Sequence, residues 1–114
     1  MTTEPTAPRR GRLYWARLDK RRAVLVISTD VRNEHANDVI VVPCSTRMRD
    51  GPTHIRLRRG EGGLPTRSVL KCEQITTLPR DLLGPRPLGG PLSARRLAAV
   101  EQALLRAIGV PVGY

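Results

Sequence analysis

The sequence predicts a mainly β fold, a small β-barrel capped by a C-terminal α-helix. Two observations predict it: short β-branched runs recur from residue 13 to residue 77, and one amphipathic helical pattern follows them. The 114 residues are the length of one domain. We assign residues 9–114 to that single domain and residues 1–8, which are polar and contain Pro, to a disordered tail.

Five segments have the composition of strands. Val39–Val42 is a continuous β-branched run that Pro43 closes, the pattern of a buried strand, whereas residues 53–57 alternate as a half-buried strand does. Gly- and Pro-containing turns separate the segments. The predicted strands are residues 13–18, 23–27, 39–42, 53–57 and 68–77.

A single helix is predicted near the C-terminal end. Residues 78–92 contain four Pro and three Gly, which exclude a regular element. Ser93 then provides an N-cap, and a Gly and a Pro end the helix after residue 108. The apolar stripe of this helix consists of Leu97, Val100, Leu104 and Ile108.

The charge balance points to a polyanionic partner. Lys and Arg number 20 against 10 Asp and Glu, so the net charge is +10, which suits nucleic acid. No run approaches the roughly 20 apolar residues of a membrane span, and the first ten residues lack the apolar segment of a signal peptide. We therefore expect a cytoplasmic protein with no membrane association.

The cysteines and histidines give no sign of a metal or redox centre. Cys44 and Cys72 lie far apart in apolar runs, the pattern of buried free thiols. His35 and His54 have no partner at zinc-ligand spacing. We expect no cofactor and no metal.

Five segments, taken in order, resemble those of one known family. Arg10–Trp15 resembles an RGDIYW opening, Arg22–Ser28 an RPVLVIS strand, and Val39–Ser45 a VIVVPLT strand; PTHI and CEQI follow at residues 52–55 and 72–75, similar to PTHV and CDQI. These are motifs of the MazF/PemK toxins. The resemblance runs from about residue 9 to residue 109.

The resemblance implies a dimeric, SH3-like small β-barrel of the kind that MazF, CcdB and PemK toxins share. It implies the toxin of a type II toxin–antitoxin system, a sequence-specific, metal-independent endoribonuclease that arrests translation and growth. In such toxins the 2′-OH of single-stranded RNA attacks the adjacent phosphate, leaving 2′,3′-cyclic phosphate and 5′-OH ends. The implied partners are an RNA substrate, a second copy of the chain, and a cognate acidic antitoxin that occupies the RNA groove.

The family's two catalytic positions correspond to Arg22 and Ser45. A guanidinium offers five donors to the charge of the phosphorane, so we assign charge stabilisation to Arg22, with proton donation to the leaving oxygen left open; a solvated surface cation is the alternative. Ser45 replaces the family's usual Thr, and Thr46 follows it. Strand alternation predicts that only one of these two lines the site; we take Ser45, with Thr46 as the alternative.

Further cations and polar residues are candidates for RNA contacts that position the backbone or meet base edges. The alternative for each of them is that it is a solvated surface residue. Trp15 fits the core or a dimer interface better than a base-stacking platform. The candidate RNA-binding residues are Arg21, Arg47, Arg49, His54, Arg56 and Gln74.

The sequence departs from the family pattern in two places, and two functions other than RNA cleavage remain open. The first two strands are joined by the very short segment 18–22, where many relatives have a long loop, and Ala23 replaces the usual Pro. One alternative function is a non-enzymatic DNA gyrase inhibitor of the CcdB type, although residues 111–114 read PVGY rather than a C-terminal Trp-Gly-Ile. The other is a non-catalytic RNA-binding module.

Overall fold

The structure, a computed structural model, describes residues 7–112. Its mainly β fold with a C-terminal helix confirms the predicted fold class, while residues 1–6 of the predicted disordered tail lie outside the described residues. The strands and helices are β1 (Leu13–Arg17), β2 (Arg21–Val26), α1 (Asp30–His35), β3 (Asp38–Ser45), β4 (His54–Leu57), β5 (Ser68–Lys71), β6 (Thr76–Pro79) and α2 (Ala94–Ala107). Single 3₁₀ turns lie at Glu61–Gly63, Cys72–Gln74 and Arg80–Leu82.

The strands form one antiparallel sheet in the order β1-β2-β3-β5-β4. β6 pairs with the first half of β3, and β5 pairs with its end. The long strand β3 therefore belongs to both halves of the sheet. The sheet does not close into a ring, so the molecule is a small barrel-like fold with β1 and β4 at the ends of the path.

Three predictions about single elements are wrong. The predicted strand 68–77 is two strands, because the 3₁₀ turn Cys72–Gln74 redirects the chain and lets its two parts pair with different halves of β3. The prediction of a single helix misses the six-residue helix α1, because α1 has no apolar stripe. Its buried Asn33 instead donates a hydrogen bond to the backbone carbonyl of Ser28. The segment 78–92 does contain regular structure, since β6 continues to Pro79 and a 3₁₀ turn follows.

Alternation along the strands divides the apolar core into two clusters on opposite faces of the sheet. Leu25 of β2 packs in the first cluster with Leu13 and Leu70, whereas Val24 and Val26 pack in the second. Both faces of β2 are therefore covered from Ala23 to Val26, which explains why this part of the strand is continuously apolar.

Helix α2 covers the first cluster with Val100 and Ala103. The Ser93 hydroxyl accepts a hydrogen bond from the Arg96 backbone N–H at 3.1 Å, which confirms the predicted N-cap. Ile108 is 68% exposed and does not belong to the buried stripe, because the helix ends at Ala107. Among residues 7–112, no helix is long and apolar enough to cross a membrane.

One close backbone approach fixes the loop before β5. Gly63 has φ +88°, and a Cβ there would lie 2.3 Å from the carbonyl oxygen of Leu88. Only glycine fits both the left-handed backbone and this contact. The approach anchors the chain directly before Leu64 and Pro65, which form part of a cavity wall described below.

Candidate functional site

Two cavities meet at one wall formed by the start of β2 and the end of β3. Arg22, Cys44 and Ser45 line both cavities, and we call these three residues the shared wall. The first cavity, of about 180 Å³, is bordered by Trp15 and by the 64–66 segment. The second, of about 440 Å³, contains polar side chains of the β1–β2 turn and of β5 and its following turn. The shared wall is thus open to both sides.

Strand register brings the two predicted catalytic residues together. Val24 of β2 lies opposite Pro43 of β3 in an antiparallel pair. The pairing ends there, and Arg22 and Ser45 each lie two residues beyond this pair, on the same face of their strands as Val24 and Pro43. The arrangement agrees with the presence of both side chains in both cavities.

Arg22 is held by a carboxylate on the preceding turn. Its guanidinium donates from Nε to Oδ1 of Asp19 at 3.3 Å and from the second amino group to Oδ2 at 3.4 Å. This hydrogen bond, followed by the backbone N–H of Lys20, lowers the pKa of Asp19 below its usual 3.8. The Arg22 side chain is 29% exposed and that of Asp19 72%, so an incoming anion can reach the pair from solvent.

Ser45 and Thr46 both border the site. The Ser45 hydroxyl accepts a hydrogen bond from the Arg47 backbone N–H at 3.1 Å, which leaves its proton free to donate. Both residues line the first cavity, and Ser45 also lines the second. The expectation that only one lines the site is wrong, because β3 ends at Ser45 and alternation does not extend to Thr46.

The thiol of Cys44 in the shared wall is a poor nucleophile. Burial, assisted by the neighbouring Cys72, raises the pKa of Cys44 to about 12. Both cysteines are buried and free, as the sequence predicted. A neutral thiol is a poor nucleophile, so attack by Cys44 is not a reaction this site supports at neutral pH.

Trp15 packs partly on the first core cluster and borders the first cavity with its remaining surface. The Arg21 guanidinium lies over its ring, 4.1 Å from the centroid, and the contact holds Arg21 at the cavity rim. The core and a dimer interface were the two roles predicted for Trp15, and its packing on the first cluster agrees with the first of them.

The other candidate RNA-binding residues divide into three groups. Gln74 lines the second cavity with Arg22 and Ser45. Arg47 and Arg49 lie on the exposed segment after β3 and line neither cavity. His54 and Arg56 lie on β4 and border a different groove, against α2.

The two basic side chains of β4, His54 and Arg56, already have partners within the protein. Arg56 donates from Nε to Asp50 at 2.8 Å, and the His54 Nε2 lies 3.1 Å from Oε2 of Glu73. Burial acts to raise the pKa of Glu73, but hydrogen bonds from its own backbone N–H, His54 and Thr53 together lower it below the usual 4.5. These contacts stabilise the junction of β4 with the turn before β6.

Sequence reasoning missed two charged residues of the second cavity, Asp19 and Lys71. Asp19 occupies the short turn between β1 and β2, and its spacing to Arg22 was the available signal. Lys71 lies on β5, and its place near Ser45 depends on the pairing of β3 with β5, which no local pattern shows.

The sequence matches a known family along most of its length. The family model described as a PemK-like, MazF-like toxin of a type II toxin–antitoxin system matches residues 9–108. The chain is 35% identical over 97 residues to Endoribonuclease MazF3 of Mycobacterium tuberculosis, covering 85% of this chain and 87% of that one. It is 29% identical over 106 residues to Endoribonuclease MazF1 of Mycobacterium bovis, covering 92% and 96%.

Solved structures give the same result. Mycobacterium tuberculosis toxin MazF-mt6 superposes with a TM-score of 0.80 at 31% identity, covering 89% of this chain and 99% of that one. A mycobacterial endoribonuclease in complex with its cognate antitoxin superposes with a TM-score of 0.81 at 30% identity, covering 94% and 100%.

Proposed function

This chain belongs to the PemK-like, MazF-like toxin family of type II toxin–antitoxin systems, and we propose that it cuts single-stranded RNA at the shared wall of its two cavities. The chain is an endoribonuclease toxin, as its curated relatives are. One observation carries the assignment of the site: Arg22 and Ser45 both line both cavities. Nucleotides on either side of a cut phosphate would then occupy one cavity each.

The proposed reaction needs no group beyond the RNA, the protein and solvent water. The 2′ oxygen forms a bond to the adjacent phosphorus as its proton passes to water, and the bond from phosphorus to the 5′ oxygen breaks as that oxygen takes a proton from water. Charge accumulates on the non-bridging oxygens in between. Arg22 stabilises that charge with aligned donors, and the Ser45 hydroxyl donates to one oxygen.

Proton transfer is the weaker part of the catalytic apparatus. The Arg22 guanidinium has five donors and no acceptor, so it orients and stabilises the phosphate rather than accepting a proton. Asp19, hydrogen-bonded to Arg22, has a lowered pKa and is therefore a weak base. Most of the rate enhancement would come from charge stabilisation and substrate alignment.

We infer a cognate acidic antitoxin as the protein partner and the cytoplasm, where messenger RNA is translated, as the place of action. One matched structure is an endoribonuclease bound to its cognate antitoxin. A net charge of +10 favours an acidic partner.

A homodimer, implied by the family, stays a prediction. Neither the gyrase-inhibitor nor the non-catalytic alternative is favoured by relatives that are endoribonucleases.

The test is cleavage of a long single-stranded RNA in EDTA, followed by mapping of the new ends. We expect cuts at a recurring short sequence with 2′,3′-cyclic phosphate and 5′-OH ends. An oligonucleotide with a single 2′-deoxy sugar at the mapped site should stay intact. Cleavage of that oligonucleotide would contradict attack by the 2′-OH, and intact RNA throughout would contradict the proposed activity.

A further inference from the structure

We propose that Lys71 binds the phosphate next to the one that is cut, and so fixes the position of the RNA in the second cavity. The inference rests on the proposed function for the identity of the ligand. Lys71 lines this cavity together with Arg22, Ser45 and Gln74.

Strand register gives Lys71 its position. Ser45 of β3 lies opposite Val69 of β5. Lys71 is two residues further along β5, so it shares the face of Ser45 and is its diagonal neighbour, a pair whose residues typically lie about 7–8 Å apart. This separation is on the scale of one nucleotide step. The cut phosphate at Ser45 would therefore place an adjacent phosphate within reach of the flexible Lys71 side chain.

The neighbouring carboxylates leave Lys71 without a partner. Glu73, two residues away, accepts hydrogen bonds from Thr53 at 3.1 Å and pairs with His54 at 3.1 Å. Asp19, which also lines the cavity, is bound to Arg22. Within the described part of the chain, the Lys71 ammonium has neither a hydrogen bond nor an ion pair.

The second cavity therefore has a deficit of negative charge. Its lining contains the two cations Arg22 and Lys71 against the single carboxylate of Asp19. Lys71 is only half-buried, so a phosphate can enter without a large rearrangement. A phosphodiester supplies the missing charge, and a lysine binds it as a point charge that tolerates variation in backbone geometry.

A contact to a phosphate that does not react acts equally on substrate and transition state. Removing it should raise KM and leave kcat within about twofold. Each phosphate contact with a single strand also contributes about 0.7 to the slope of log affinity against log salt. Loss of Lys71 should lower that slope by about 0.7.

The experiment compares Lys71→Gln with Arg86→Gln. Each substitution removes one positive charge, and Arg86 is exposed and lines neither cavity. Binding is measured by fluorescence anisotropy at several salt concentrations, on an RNA with one 2′-deoxy sugar at the cleavage site. We expect Lys71→Gln to bind about tenfold more weakly at low salt, with the lower slope, and Arg86→Gln to keep the wild-type slope. Lys71→Arg, which retains the charge, should recover most of the affinity.

Equal salt slopes for wild type and Lys71→Gln would overturn the inference, as would a Lys71→Gln variant whose defect lies in kcat alone. Thermal unfolding of each variant separates lost binding from lost folding. A wild-type protein that binds this RNA but leaves the all-ribose form uncut would contradict the proposed function. The Lys71 contact would still be supported if its substitution changed the salt slope.

Discussion

The shared wall and the β4 side use positive charge differently. On the β4 side, Arg56 is bonded to Asp50, His54 to Glu73, and Arg96 of α2 to Glu61. In the second cavity, the single carboxylate is that of Asp19, which is bonded to Arg22 and leaves Lys71 without a partner. A phosphate would have to displace a carboxylate to bind Arg56 or Arg96, whereas it would fill a deficit at Lys71 in the cavity. The partners of an arginine thus say more about its function than the net charge of the chain does.

The largest expected effect is that of Arg22→Ala. Loss of aligned donors to the phosphorane should lower kcat by about 10²–10³-fold or more. Growth arrest after induction should therefore disappear, while circular dichroism and the melting temperature stay close to wild type because the side chain is partly exposed. Growth arrest that persists in this variant would place the chemistry elsewhere.

Ser45 should have the next largest effect. Ser45→Ala removes the hydroxyl that donates to the phosphate and also the acceptor of the Arg47 N–H, so we expect about a tenfold loss of single-turnover rate. Ser45→Thr keeps both functions and should retain most of the rate. Thr46→Ala, measured in the same assay, should change the rate less than threefold. A larger loss in Thr46→Ala than in Ser45→Ala would reverse the assignment.

A smaller effect is expected from Asp19→Asn. The substitution removes the one carboxylate of the second cavity, so RNA should bind about two- to threefold more tightly at low salt. The lowered pKa of Asp19 means that it stays charged throughout the neutral range. Changing the pH between 5 and 8 should therefore not reproduce the effect. Weaker binding by Asp19→Asn would show that orientation of Arg22 outweighs charge.

The smallest effect concerns the β4 side, in Glu73→Gln. Because folding lowers the pKa of Glu73, its charge stabilises the fold above the usual value of 4.5, and this contribution is lost as the pH falls through the lowered pKa. The carboxyl is 38% exposed, so the loss at pH 7 should be below about 1 kcal/mol. Denaturant unfolding at pH 7 and at successively lower pH should show the difference shrinking as the carboxyl becomes protonated.

Local patterns predicted most of the fold because its strands are apolar on both faces or alternate cleanly, and because Ser93 and the helical stripe mark α2. They could not predict the break at Cys72–Gln74, since the residues on both sides of the turn have strand composition. They also missed α1, whose stability depends on the buried Asn33 rather than on an apolar face.

For the site, family motifs identified Arg22 and Ser45, and the structure brings both into one wall. Lys71 and Asp19 were missed because their roles depend on strand register and on which carboxylates are already bonded. For the same reason, His54 and Arg56 were predicted as RNA contacts together with Gln74, although they border a different groove. The linear sequence shows that a residue is basic, and tertiary contacts decide what it faces.

The most direct test of the central claim is the single-turnover rate of Arg22→Ala beside Arg56→Ala on one defined RNA in EDTA. Each variant loses one arginine, so the two variants have the same net charge as each other. We predict a loss of at least about 10²-fold for Arg22→Ala and of less than about threefold for Arg56→Ala, whose partner is an exposed carboxylate. Equal losses in the two variants would contradict the claim that the chemistry belongs to the shared wall.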